Sequence, residues 1–209
     1  MVKNIIIDEL DLDGGVLCLD LANTVSDRQH MPGTDYVNNF DNLLYWAVKK
    51  AKVISEGTAL VLQKRALAEP AKARQFCKEA IELRELIYHM FLQVSKNEAV
   101  SSGDLDTFNE IVKKYLPHLI LRQKGRDFSE AWNWEADSFY QVLAPVVKTA
   151  YELLLSDKLD RIKQCGSDHC GWLFLDTSKN GKRRWCSMKT CGSNDKAIKY
   201  YYRQKESKE

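Results

Sequence analysis

Apolar residues recur at spacings of three and four over much of the first 160 positions, the signature of helices that bury one face. Leu43, Leu44, Trp46, Ala47 and Val48 mark a helix from Asp41, with Asp41 or Asn42 as its cap. A second helix is expected from a Thr58 cap to Leu67. Pro70 suits the first turn of a longer one, about Ala71 to Ser95, striped by Phe76, Ala80, Leu83, Ile87, Met90 and Phe91. Asp104 is the expected cap of the next, in which Leu105, Phe108, Ile111, Val112 and Tyr115 repeat the pattern up to Pro117. A last helix, about Asp137 to Ser156, carries Phe139, Val142, Leu143, Val146, Val147, Tyr151 and Leu154. Elsewhere the pattern predicts short strands. Asn4–Ile7 and Val16–Leu19 flank the turn Asp13-Gly14-Gly15, and Leu119–Gln123 and Phe128–Trp134 flank Lys124-Gly125-Arg126-Asp127 as a small hairpin.

The helical pattern stops near residue 160, and four of the six cysteines lie beyond it: Cys165, Cys170, Cys186 and Cys191, spaced as Cys-x4-Cys-x15-Cys-x4-Cys. Two close pairs separated by a hairpin-length segment suit a tetrahedral ion, because one tight loop can supply two thiolates. In a reducing cytoplasm such a cluster binds metal rather than forming disulfides. Four thiolates leave no position for water, so the expected zinc is structural rather than catalytic. His169 lies inside the first pair but is surplus to a set the cysteines complete. Trp172–Asp176 reads as a strand, Lys182–Trp185 as its partner, and Asn180-Gly181 as the turn between them. Ser193 or Asn194 is the expected cap of a helix through Tyr202 or beyond. The predicted fold is thus a mainly α body with short β segments, residues 1–160, and a treble-clef-like zinc ribbon, residues 161–209.

Charge divides at the same place. Residues 161–209 hold 12 Lys/Arg against 5 Asp/Glu, a net of +7, leaving 19 against 24, or −5, in the first 160. Such a basic tail on an acidic body points to a polyanionic partner. The candidate nucleic-acid contacts are Lys182, Arg183 and Arg184 on the return segment, with Lys196, Lys199 and Arg203 three and four residues apart on the helix. Trp172, Phe174 and Trp185 are read first as the module's own small core and second as stacking platforms.

No apolar run reaches the roughly 18 to 20 residues that span a bilayer. Asp8, Asp11 and Asp13 stand where a signal peptide would need basic and then apolar residues, so a cytoplasmic protein is expected. In the body, Asp20, Asn23, Thr24 and Arg28 are candidates to line a small-molecule pocket; the competing reading is that they cap a helix or tie the chain to its core.

Three stretches resemble a known family. Cys170-Gly171-Trp172-Leu173-Phe174-Leu175-Asp176, Arg183-Arg184-Trp185-Cys186-Ser187-Met188 and Cys191-Gly192 resemble the CGNR-type zinc finger. Leu17-Cys18-Leu19-Asp20-Leu21-Ala22-Asn23-Thr24 is similar to the N-terminal signature of the ABATE domain, which precedes that finger in bacterial proteins regarded as stress-induced transcriptional regulators. The resemblance implies a zinc-bound DNA-binding module on a helical regulatory domain, with Cys165, Cys170, Cys186 and Cys191 as ligands. Where the namesake motif has Asn and Arg after Cys-Gly, this chain has Ser193 and Asn194, with Lys196 nearby.

Together these features predict a bacterial transcriptional regulator that binds nucleic acid, DNA before RNA, through a Zn2+ module. A small-molecule effector and a homodimer are expected of its body, and a membrane partner is not. The alternatives are a zinc-ribbon protein-docking module on a ligand-sensing body, and an enzyme with its pocket near Asp20. No nucleophile–base pair or phosphate-binding glycine loop supports the enzyme.

Overall fold

The computed structural model describes residues 5–30 and 33–206. Asn4, which opens the first predicted strand, lies outside them, as do Met31 and Pro32. The elements in chain order are α1 (Ile5–Asp8), α2 (Leu17–Ala22), α3 (Phe40–Tyr45, continued by a π turn Trp46–Lys50), α4 (Glu56–Ala68), α5 (Pro70–Ser95), α6 (Ser102–Tyr115), the strands β1 (Leu119–Lys124) and β2 (Asp127–Trp132), α7 (Ala144–Leu154), the strands β3 (Ile162–Gln164) and β4 (Leu173–Leu175), and α8 (Ser193–Glu206).

The long helix α5 spans what the stripe predicts, and Phe76, Ala80, Leu83, Ile87, Met90 and Phe91 are all buried. Three caps lie one turn earlier than expected, two or three residues before Asp41 or Asn42 and three before Thr58 and Asp104, for a shared reason. Asn39, Ser55 and Ser101 accept hydrogen bonds from the amides of Asn42, Thr58 and Asp104 at 2.9, 3.0 and 3.1 Å. The residues read as caps are therefore the receivers of capping, one turn inside each helix. The segment 137–156 is not one helix: a 3-10 turn Phe139–Val142 precedes α7, because Pro145 has no amide hydrogen and tolerates only a first turn.

The predicted strands at the N-terminus are helical turns instead. Cys18, Leu19, Leu21 and Ala22 of α2 are fully buried between α5 and α7. With four of its six residues buried, so short a segment shows one polar position, Asp20, which is too few to betray its period. The β1–β2 hairpin forms as expected, in the register Leu119↔Trp132 to Lys124↔Asp127.

The C-terminal hairpin differs from its prediction. β4 pairs antiparallel with β3, which precedes the first cysteine, in the register Ile162↔Leu175, Lys163↔Phe174 and Gln164↔Leu173. Asn180-Gly181 does turn the chain, with Gly181 at φ +58°, but Lys182–Trp185 returns without strand pairing. Its backbone is held by side chains and loops: Arg183 N–H donates to Asp176 at 2.9 Å, and Gly166 N–H donates to the Arg184 carbonyl at 2.8 Å.

The module therefore has no core of its own. Trp172, Leu173, Phe174 and Leu175 belong to one apolar cluster continuous with α2, α5 and α7, and β3 and β4 pack on α5. Among the described residues, no helix is long and apolar enough to cross a membrane.

Candidate metal centre and basic surface

Two knuckles bring the cysteines together. Cys165 and Cys170 lie in the loop between β3 and β4, Cys186 precedes the π turn Met188–Gly192 that runs into α8, and Cys191 lies within that turn. Ser193 continues this helical course and donates its hydroxyl to the Met188 carbonyl at 2.9 Å, so the helix starts before the predicted cap. All four Sγ atoms lie within 4.8 Å of one another, with Cys170–Cys186 and Cys186–Cys191 each at 3.7 Å. Zinc–sulfur bonds of about 2.3 Å along tetrahedral directions place sulfurs roughly 3.8 Å apart, so the cluster already has the dimensions of a zinc tetrathiolate. Cys186 N–H points at Cys165 Sγ at 3.4 Å, a bond that supports a thiolate at that corner. Three of the cysteines are buried and Cys191 is half-buried. The donor set fits Zn2+, and it is closed. His169 is largely exposed and is not among the four.

A buried carboxylate organises the segment between the knuckles. Asp176 accepts from Ser178 N–H (3.0 Å), Ser178 Oγ (2.6 Å), Lys163 Nζ (2.8 Å) and Arg183 N–H (2.9 Å). Burial alone would raise its pKa, but these donors, Lys163 first, hold it well below the usual carboxylate range. The sequence gives little sign of this hub beyond an Asp closing an apolar strand.

Of the residues predicted to meet nucleic acid, Lys182, Arg184, Lys196 and Arg203 are exposed. Lys179, at the turn, is exposed beside them. Arg183 is half-buried: its guanidinium donates to the Cys186 carbonyl and lies 4.7 Å from the Phe174 ring centroid, which makes it part of the scaffold. The Lys199 side chain lies outside the described ones. Arg184 covers the Trp185 ring, and Phe174 and Trp172 are buried, so none of the three offers a free stacking face.

The four candidate pocket residues of the body face protein. Asn23 is buried and pairs with both backbone groups of Leu173, donating Nδ2 to its carbonyl at 2.8 Å and accepting its N–H at 3.0 Å. Its side chain thus acts as a further strand edge beside β4. Thr24 donates to the Leu21 carbonyl at 2.8 Å. Arg28 pairs with Glu85 at 2.5 Å, donates to the Ala22 carbonyl and lies over Tyr88. Further bonds tie the body to the finger. In the loop after α2, the Val25 carbonyl accepts from the Trp172 indole and Arg28 N–H donates to the Cys170 carbonyl, and from α5 the Tyr88 hydroxyl donates to the Gly171 carbonyl. Gly171 sits at φ +71°, and a Cβ there would press within 3.1 Å of Arg28 and 3.0 Å of Gln29, so the contact requires glycine.

Asp20 accepts from Gly14 N–H at 2.9 Å. Burial pushes its pKa up to about 6, against the lowering effect of that amide. A carboxyl whose folded value lies above its unfolded one, roughly 3.9, stabilises fully below pH 4 and loses that contribution as pH rises through 6. Asp20→Asn retains the acceptor for Gly14. It is expected to exceed wild type in stability at pH 7 by about 1 to 2 kcal/mol, with the gap closing below about pH 4, as measured by urea unfolding at both pH values.

This geometry defines a class: a helical body to which a structural-zinc finger is clamped by hydrogen bonds and a shared core. Residues 161–204 match the CGNR zinc finger model. Residues 15–157 match the ABATE model, whose description is "Putative stress-induced transcription regulator". The chain belongs to the ABATE family, with the CGNR finger at its C-terminal end. Comparison with curated proteins gives no match.

Proposed function

We propose that this protein is a bacterial, cytoplasmic transcriptional regulator that grips nucleic acid, DNA in preference to RNA, through its zinc finger, while the helical body senses a signal. The family's description as a regulator rather than an enzyme supports the general reading. The observation that carries the particular one is the exposure of Lys179, Lys182, Arg184, Lys196 and Arg203 in the segment of net charge +7 that also holds the closed zinc site. Exposed cations bind phosphates and release condensed counterions, which favours association. Within this reading residues 1–160 respond to a small-molecule effector or to a second copy, and residues 161–209 make the contact.

Fluorescence anisotropy with a labelled duplex tests it. Five phosphate contacts, one for each of these cations, predict that log affinity falls with log salt with a slope of roughly −4 to −5. Lys182→Glu with Arg184→Glu is expected to weaken binding at least tenfold without loss of zinc. Absence of binding by the zinc-loaded protein at low salt would overturn the reading. A protein-docking surface is the competing reading, favoured by the exposure of Ile198 and Tyr200 on α8. It predicts that the double variant binds DNA as wild type does.

A further inference from the structure

A second group of metal-ligating side chains lies outside the cysteine cluster, at the seam between body and finger. Asp27 and His30 belong to the loop after α2, and His169 belongs to the first zinc knuckle, 139 positions beyond His30. Both imidazoles turn the same ring atom to the same carboxylate oxygen. His30 Nδ1 is 3.2 Å from Asp27 Oδ2 and His169 Nδ1 is 3.8 Å from it, and the three donor atoms all lie within 4.8 Å of one another. The rings are 5.0 Å apart and tilted by 39°, so they converge rather than stack.

The other carboxylate oxygen has a separate task. Asp27 Oδ1 accepts the backbone amides of Gln29 and His30 at 2.8 and 2.9 Å, which fixes the carboxylate and leaves Oδ2 aimed at the two rings. The seam is also held by bonds that need no metal. Arg28 N–H donates to the Cys170 carbonyl at 2.8 Å and Gln29 Nε2 to the Ser167 carbonyl at 3.3 Å. The site is therefore assembled by the fold. It is also open, since His30 and His169 are 60% and 74% exposed and an ion needs no opening motion to arrive.

We propose that Asp27, His30 and His169 bind a divalent first-row transition metal ion, of which Zn2+ and Ni2+ are the natural probes. Metal–nitrogen and metal–oxygen bonds of about 2.1 Å at tetrahedral angles separate donors by roughly 3.4 Å, a value between the two distances from Oδ2. Two imidazoles with one carboxylate select such ions over Ca2+ and Mg2+, which prefer oxygen alone. Three protein ligands leave room for water, unlike the closed thiolate site. An ion here joins the body loop to the zinc knuckle, and so fastens the sensing part to the finger at one point. The inference concerns metal alone and does not depend on the nucleic-acid reading.

The test is isothermal titration of Zn2+, and separately Ni2+, into the full chain already carrying one zinc. One further equivalent is expected, together with a rise in Tm. Both are expected to be lost, or weakened at least tenfold, in His30→Gln and equally in His169→Gln, while the first zinc is retained. Both side chains are largely exposed, so neither change should disturb the fold, and His30→Gln leaves the knuckle sequence untouched. Failure to take up a further equivalent would overturn the proposal. So would a further equivalent that survives either variant, which would place the ion elsewhere.

Discussion

Cys186→Ser is expected to unfold the helical body as well as the finger. The ligand lies 26 residues beyond the predicted body, yet Leu173, Phe174 and Leu175, which the zinc knuckles hold in place, sit in the cluster that includes α2, α5 and α7. Structural zinc contributes an apparent 10 to 16 kcal/mol in isolated finger peptides, about as much as the whole stability of a typical domain, 5 to 15 kcal/mol. Loss of one thiolate therefore removes a large fraction of what holds β3 and β4 together. Their departure strips one side of α5 and leaves Asn23 and the Val25 carbonyl without partners. A single cooperative transition is predicted, shifted down by more than 15 °C in Cys186→Ser or by a strong chelator. Helical circular dichroism and tryptophan fluorescence should report the same midpoint. A helical transition unchanged by chelation would show that the body stands without its finger.

Asn23→Ala should have the next largest effect, on the order of 3 kcal/mol, because it leaves both the N–H and the carbonyl of Leu173 buried and unpaired. Alanine also removes volume from a site with almost no exposure. Asn23→Asp tests the direction of the bonds. A carboxylate still accepts the Leu173 N–H, but it sets an oxygen against the Leu173 carbonyl, so its cost is expected to match or exceed that of alanine at neutral pH. Urea unfolding should give a lower midpoint with an unchanged slope, since the change alters the clamp and not the surface exposed on unfolding. A cost below about 0.5 kcal/mol would assign Asn23 back to ligand binding, where a polar side chain is dispensable for the fold.

The long amphipathic helices were legible because their period is set locally. Each buries one face against the rest, and that face must repeat every three to four residues whatever the neighbours are. The same holds for the thiolates, whose spacing within each knuckle is fixed by the size of the loop that can wrap one ion. The C-terminal hairpin departs from its sequence pattern for the opposite reason. Asn180-Gly181 is a strong turn signal, and the turn exists, but strand pairing also requires a partner backbone with free donors and acceptors. Asp176 and Lys163 had taken those of the return segment, through bonds to Arg183 N–H and to the Gly181 and Arg183 carbonyls. No local pattern announces a carboxylate and an ammonium that act as a strand. The caps were displaced because Asn42, Thr58 and Asp104 are themselves good capping residues, and only the bonds show which end of the turn they occupy.

Sequence alone determined the helical body, the four zinc ligands and the concentration of positive charge beyond residue 160, all features carried by short spacings or by sums over residues. The tertiary structure decided how the two parts meet. Asn23 serving as a strand edge for Leu173, Arg183 turned inward over Phe174, and His30 facing His169 across Asp27 join positions up to 150 residues apart. Such partnerships depend on which surfaces the packed core brings face to face, and a chain read one window at a time holds no record of that.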